Sequence, residues 1–478
     1  MHRKSSVGLT MLIAVAITLF AQAATGATIE GAWMGNLKVP GGELRIVFKI
    51  VEGSDSALTA TMDSPDQGAT GIPVDEVTWT NGHLHLGMNA IAGTFEGDLK
   101  ADEASIDGKW TQGGVSFPLI LARTDAAPEL NRPQEPKPPF PYAAEDVTFP
   151  NTKASITLAG TLTTPQGQGR FPAALLITGS GPEDRDEMVF GHRPFLILAD
   201  YLTRHGIAVL RVDDRGVGKS TGDRTTGTSE DFADDALAGV EFLKGRKEVD
   251  PKHIGLIGHS EGGIIAPMVA ARSNDIAFIV MLAGTGLTGE EILYLQAALI
   301  AKAGGASDSA AAAQRKQQEE IFAVIKQDTN TASAEAKLRK IIAAALTDAS
   351  AATPPDTSVI NKGVEMQMQQ LLSPWFRFFL VYDPKPALLK VKCPVLAING
   401  EKDLQVPPLQ NLPAIEAALK KGGNKHCTIK QLPGLNHLFQ TAETGSPDEY
   451  AKIEETMSPV ALSTIGDWIL KQTGRAGK

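Results

Sequence analysis

One stretch constrains this chain more than any other: His253 to Ser273, reading H-I-G-L-I-G-H-S-E-G-G-I-I-A-P-M-V-A-A-R-S. Residues 254–257 are short, apolar and rich in isoleucine, as a buried parallel strand should be. From Gly262 on, Ala, Ile and Met predict a helix. Between the two stands Gly258-His259-Ser260-Glu261-Gly262, a G-x-S-x-G placed strand–turn–helix. Side chains at the two glycines of so sharp a turn would meet neighbouring backbone. The turn holds the Ser260 hydroxyl out at the carboxyl end of a sheet and aims the Glu261 amide at the same point, the arrangement of a nucleophile elbow. A second match, Gly218-Lys219-Ser220-Thr221-Gly222, has no helix after it, so Ser220 reads as a loop serine. That loop ends like a phosphate-binding loop, but Asp213 stands where its first glycine should be. No nucleotide site follows from it.

A serine hydroxyl is a weak nucleophile at neutral pH; it needs a base, and the base needs an orienting acid. In elbow folds the acid and then the histidine follow the serine, each on a loop after a strand. Gly400-Glu401-Lys402-Asp403 follows a predicted strand at 394–399, and Gly434-Leu435-Asn436-His437 follows one at 428–432. Asp403 is preferred to Glu401 because it lies deeper in its loop, before Val406-Pro407 turns the chain. Of nine histidines, His192, His205, His253 and His259 precede the serine, and His426 begins a strand at the wrong end of the sheet. His2, His83 and His85 lie in the N-terminal third. That leaves His437. The oxyanion of acyl transfer needs two backbone donors. One is the Glu261 amide. The other comes from Gly179-Ser180-Gly181-Pro182, after a strand at 173–178, with Ser180 the first choice and Gly181 the next. Glu183, Asp184, Arg185 and Asp186 are expected to brace this loop through ion pairs with residues such as Arg215.

Along the chain, residues 28–125 show short alternating strands every eight to twelve residues, separated by turn signals such as Asn81-Gly82. They predict a small all-β sandwich or barrel with Trp33, Trp79 and Trp110 in its core. His83 and His85 share a strand face but have no third ligand near, and read as surface. Residues 126–142 carry Pro128, Pro133, Pro136, Pro138, Pro139 and Pro141, a stiff extended linker. From 143 to 478 strands and helices alternate, predicting a doubly wound, mostly parallel α/β sheet. The alternation stops at about 287–390, an Ala- and Gln-rich helical stretch read as a cap inserted between two strands. Its Trp375, Phe376 and Phe379, with Phe378 and Tyr382, are candidates for an apolar acyl pocket or for the cap's own core.

The residues Ile177 to Pro182, Asp213 to Gly222, Gly258 to Gly263 and the Asp403 and His437 loops together resemble the α/β-hydrolase superfamily. More narrowly, the chain is similar to secreted bacterial carboxylesterases that carry a β-rich N-terminal domain and a helical cap. The resemblance implies an α/β-hydrolase fold, a Ser260–His437–Asp403 triad and ester hydrolysis through an acyl-enzyme. No residue pattern in the chain suggests a metal, flavin or nucleotide. Thr178-Gly179 departs from the His-Gly that often opens the oxyanion loop in this superfamily. The same triad also serves peptidases of the aminopeptidase type and thioesterases. A peptidase needs a charged anchor for a peptide terminus, which Glu183 or Asp186 would supply. A further reading is a catalytically dead binding module, against which stands a complete set of triad, elbow and oxyanion loop.

Apolar content of 42% and charged content of 21% are those of an ordinary globular protein. With a net charge of −10 and no basic cluster beyond the extreme N-terminus, nucleic acid is excluded as a partner; a small ester substrate is expected instead. Residues 1–27 read as a signal peptide: His2, Arg3 and Lys4, then an apolar stretch too short to span a membrane, then small residues. The mature protein is therefore expected in the periplasm or medium, without stable membrane insertion. Cys393 and Cys427, the only cysteines, are either a pair or two thiols; sequence does not choose. Oligomeric state is not legible.

Overall fold

The computed structural model describes residues 28–475 apart from 40–41, 54–56, 68, 113–114, 126–130, 350–363 and 366. The expected signal peptide and the first prolyl stretch of the linker lie outside the described residues.

The N-terminal strands are β1 (Gly31–Val39), β2 (Gly42–Glu52), β3 (Leu58–Ser64), β4 (Ala69–Val74), β5 (Glu76–Thr80), β6 (His83–Met88), β7 (Gly93–Leu99), β8 (Ser105–Gln112) and β9 (Val115–Thr124). They form one antiparallel sheet in the order β4-β3-β2-β1-β9-β8-β7-β6-β5. Every neighbour is a hairpin partner except β1 and β9, whose pairing joins the two ends of the segment. The sheet rolls round a single core in which the Phe48 ring lies 5.8 Å from Phe95 and 6.4 Å from Trp110. Trp33 and Trp110 are buried and Trp79 is half-buried against the same core. The Trp33 indole N–H donates to the Ile29 carbonyl at 2.8 Å, so its polar edge is satisfied inside an apolar core. His83 faces Asp98, and His85 lies between Glu76 and Glu96.

Residues 131–141 are pinned to the structure that follows them. The Arg132 guanidinium donates to the carbonyls of Phe190, Gly191, Ala451 and Ile453. The Gln134 side chain accepts from the amides of Thr456 and Met457 and donates to the Met457 carbonyl.

The second sheet comprises β10 (Tyr142–Asn151), β11 (Ile156–Pro165), β12 (Phe171–Ile177), β13 (Ala208–Val212), β14 (Val249–His259), β15 (Phe278–Leu282), β16 (Val395–Gly400) and β17 (Cys427–Leu432). Their order is β10-β11-β13-β12-β14-β15-β16-β17. β10 and β11 run antiparallel at one edge and the rest are parallel. Central strands such as β12 and β15 are buried along their whole length, which is why they read as unbroken apolar runs. Helix α1 (Pro194–Arg204) and the terminal helix Pro459–Gln472 cover one face. Helices α2 (Ser229–Lys244), α3 (Gly262–Ala270) and Pro408–Lys421 cover the other. This is the α/β-hydrolase architecture. The chain leaves β12 for β13 on one side and returns to β14 on the other, so the strand order reverses at β12. Loops after β12 and β14 therefore open a crevice at their carboxyl ends, where ligands of such sheets bind.

Between β15 and β16 the chain builds the cap: α4 (Gly289–Ala303), α5 (Asp308–Gln327), α6 (Thr331–Ala349) and the helix Pro374–Val381. These pack on each other through Tyr294, Phe322, Ile325, Leu338, Phe376 and Leu380. No helix among the described residues is long and apolar enough to cross a membrane. Cys393 and Cys427 are free thiols, and burial pushes the Cys393 thiol up to about 12.

Candidate active site

The turn at Ser260 is imposed by its glycines. A Cβ on Gly258 would sit 1.9 Å from the Gly262 carbonyl oxygen, and one on Gly262 would sit 2.2 Å from the Ile177 carbonyl oxygen. On Gly263, the next residue, it would lie 2.6 Å from the Cα of Gly284. Backbone thus passes backbone at contact distance on three sides. Ser260 takes the strain as a left-handed φ of 52°, a conformation worth about 1–3 kcal/mol that the surrounding structure must hold. Its amide donates to the Leu282 carbonyl at 2.8 Å, tying the turn to β15. Helix α3 starts immediately after, with Glu261 as its N-cap, so the Glu261 amide is among the donors a helix leaves unpaired at its start.

The loops after β16 and β17 approach each other over Gly400, where a Cβ would come 2.2 Å from the Leu435 carbonyl oxygen. The Asp403 carboxylate is fully buried. Its Oδ1 accepts the amides of Gln405 and Val406 at 2.9 and 2.7 Å, and its Oδ2 lies 2.9 Å from His437 Nδ1. A carboxylate held this way fixes the proton on Nδ1 and leaves Nε2 as an acceptor. The His437 loop is shaped by Asn436, whose Oδ1 accepts from the amides of Leu438 and Gln440. Glu401, the other acidic residue of its loop, accepts the Gly434 amide at 2.8 Å from the outside.

Ser260, Ser180 and Glu261 line one pocket with Ile264, Trp375 and Phe379; its volume is about 80 Å³. Since about 10–15 Å³ of such space holds one water, the pocket has room for several water-sized groups and no more. Trp375 and Phe379, four residues apart, stack at 5.3 Å on one face of their helix. Phe376 turns away, 6.1 Å from Phe322, into the cap's own core. Of the five aromatic candidates, Trp375 and Phe379 line this pocket, whereas Phe376, one position round the helix from Trp375, is carried into the cap core by its spacing with Leu380.

The oxyanion-loop candidates are held from beneath by the two aspartates after β13. Thr178 Oγ1 donates to Asp214 Oδ1 at 2.8 Å, the Glu183 amide and Arg224 donate to Asp214 Oδ2, and Arg185 forms a bidentate pair with Asp213. Asp186 pairs with Arg211. Arg215, expected to brace this loop, instead pairs with Asp235 of α2 at 2.6 Å. Ser220 of the second G-x-S-x-G is buried, donating to the Asp213 carbonyl and accepting the Ala159 amide. Glu183 is pushed up to about 8, chiefly by burial and then by the carboxylates of Glu187, Asp214 and Asp184.

The elbow is also tied to the cap. The buried Glu261 side chain accepts from Trp375 Nε1 at 2.8 Å and from Ser229 Oγ at 2.6 Å. Burial raises this carboxyl above its ordinary range, opposed by those two hydrogen bonds and by Arg224. Trp375→Phe keeps the ring and removes the N–H. It is expected to lower stability by about 1–2 kcal/mol, because the buried Glu261 oxygen loses one of its two donors and keeps Ser229, and to raise KM as the pocket wall loosens. Thermal melting and ester kinetics check both.

A strained serine at the end of a central strand, a buried acid–histidine pair and a crevice at the sheet's switch point define a serine hydrolase of the α/β-hydrolase superfamily. Residues 118–432 match the model of the X-Pro dipeptidyl-peptidase (S15) family, and the chain belongs to that family. The match takes in Ser260 and Asp403 and ends before His437. Esterase EstD of Thermotoga maritima is 29% identical over 368 residues, 76% of this chain and 78% of that protein. Among solved structures, Est1E of Butyrivibrio proteoclasticus with bound ferulic acid is 18% identical (TM-score 0.39, 69% of this chain and 99% of that one). Esterase Pf2001 of Pyrococcus furiosus is 16% identical (TM-score 0.39, 69% and 91%).

Proposed function

We propose that this protein is a carboxylesterase for short-chain acyl esters, working through Ser260, His437 and Asp403. The observation that carries the reading is the buried 2.9 Å contact of Asp403 with His437 Nδ1, on the loops following the acid and histidine strands of an elbow fold. His437 Nε2 takes the Ser260 proton as the hydroxyl oxygen attacks the ester carbonyl. The amides of Glu261 and Ser180 receive the oxyanion, each worth about 3 kcal/mol in the transition state. His437 returns the proton to the leaving alcohol, and water, activated by the same nitrogen, releases the acid and regenerates Ser260. The small pocket under Trp375 and Phe379 favours short acyl groups. The relationship to esterase EstD supports an ester over a thioester. The basic, apolar start of residues 1–27 supports export to the periplasm or medium.

A second reading, a peptidase cleaving after an X-Pro pair, is favoured by the family. It requires an anionic anchor for a free amino terminus. Asp186 is already paired with Arg211, and Glu183, raised to about 8, is largely uncharged at neutral pH. Both facts weigh towards the ester.

The test compares p-nitrophenyl esters from acetate to dodecanoate with Gly-Pro p-nitroanilide. Turnover is expected to peak at acetate to butyrate and to fall beyond hexanoate. Turnover of the anilide alone would replace the esterase by the peptidase.

A further inference from the structure

His259, the residue between the first elbow glycine and Ser260, is buried and faces an acceptor with each ring nitrogen. Nδ1 lies 2.9 Å from Glu187 Oε1, and Nε2 lies 3.1 Å from the His437 carbonyl oxygen. A neutral imidazole has one N–H and satisfies one of these; only the imidazolium satisfies both. Glu187 Oε1 also accepts the Gly179 amide at 2.7 Å. One buried ion pair therefore joins three separate loops: the oxyanion loop through Gly179, the elbow through His259, and the histidine loop through the backbone of His437. The His259 and His437 rings stand 4.8 Å apart.

We infer that His259 and Glu187 are a positioning pair, an imidazolium and a carboxylate that lock the catalytic histidine and the oxyanion loop onto the nucleophile turn. The inference rests on the assignment of Ser260 and His437 made above. Neither member touches the reacting atoms. The groups facing His259 are Glu187 from the oxyanion loop, Asp403 from the acid loop, His437 and the edge of Phe439. Burial alone disfavours the cation, but the Glu187 carboxylate, the His437 carbonyl and Asp403 outweigh it and raise His259 to about 9. A histidine raised on folding contributes its full stabilisation below its ordinary pKa of about 6.5, and loses it as pH climbs through the folded value. The lock is thus intact at neutral pH and released at alkaline pH. When His259 becomes neutral, one nitrogen turns a lone pair on an acceptor. Nδ1 keeps its proton for the carboxylate, so the contact to His437 is the one lost.

The test is the rate at which a fluorophosphonate labels Ser260 between pH 6 and 10, in the native protein and in Glu187→Gln. Glutamine still accepts the Gly179 amide but carries no charge. The native rate is expected to fall above about pH 9. In the variant the fall is expected to move at least one pH unit towards neutral. At pH 7.5 labelling and kcat drop about 10- to 100-fold with KM nearly unchanged, as for a misplaced catalytic group. A pH profile that keeps its shape in Glu187→Gln overturns the proposal, even if the melting temperature falls. Nitrogen NMR of the native protein, which needs no variant to fold, shows two protonated His259 ring nitrogens at pH 7 if the pair is as inferred; one bare nitrogen overturns it. A native protein that no fluorophosphonate labels rejects Ser260 as nucleophile, and the positioning role with it.

Discussion

Ester turnover is expected to fall about a million-fold in Ser260→Ala, and no further when His437→Ala is added to it. Residues that act as one unit lose nearly everything with the first member removed, leaving only what binding and the oxyanion donors supply. The proposed mechanism behind this expectation is a chain of dependence from Asp403 to His437 to Ser260. Without the hydroxyl, the imidazole has no proton to take; without the imidazole, the hydroxyl is an ordinary alcohol at neutral pH. Initial rates on p-nitrophenyl acetate for the two single variants and the double variant give the answer. Independent losses that multiply in the double variant would mean that Ser260 and His437 do not serve one step. The fluorophosphonate label should be absent from Ser260→Ala and strongly slowed in His437→Ala.

Gly258→Ala should cost the fold rather than the chemistry. Its Cβ would lie 1.9 Å from the Gly262 carbonyl oxygen and 2.8 Å from the Gly263 amide nitrogen, both backbone atoms of the turn that carries Ser260. No rotamer relieves a clash between a Cβ and backbone atoms. Either β14 shifts within the sheet or the start of α3 moves away. A loss above about 4 kcal/mol, at the exceptional end for a single substitution, is expected. The control is Gly82→Ala at the β5–β6 hairpin. Gly82 also has a left-handed φ, 83°, but nothing lies within 4 Å of an added Cβ. That change should cost about 1–2 kcal/mol, the penalty of a left-handed residue alone. Melting curves separate the two. If the changes prove equally mild, the tight elbow packing is wrong.

What could be read in the sequence was whatever depends on local order. The elbow is a strand, a turn and a helix in direct succession, so the glycines, Ser260 and the start of α3 all announce themselves within one stretch. Asp403 and His437 are picked out by their loops' place after successive strands, and the structure puts their side chains 2.9 Å apart. The rolled sheet over residues 31–124 is legible as hairpins. Whether they form one layer or two is not, because that is decided by the pairing of β1 with β9 across the length of the segment. Long-range polar contacts were invisible for the same reason. Arg215 is expected at the oxyanion loop and pairs with Asp235 on α2 instead, because charge alone cannot tell that aspartate from the acids of the loop. His259 precedes the serine, which argues against it as the base in chain order but says nothing of Glu187, 72 positions away. Phe376 is a different kind of miss. The four-residue spacing that pairs Trp375 with Phe379 and Phe376 with Leu380 was present in the sequence, and it separates pocket from cap core.

The proline-rich segment has a consequence for how the two halves of this protein can be exchanged. Arg132 and Gln134 engage the loop ahead of α1 and the loop after β17, the two stretches of chain that continue from Ser180 and His437. A catalytic half cut at the first strand of its own sheet would lose that strap and leave backbone carbonyls and amides on both loops without their partners, at about 1–3 kcal/mol for each one buried. The separable module is therefore the rolled sheet alone. The strap travels with the enzyme, and any graft, deletion or natural shuffling of the N-terminal half has its seam ahead of Asn131.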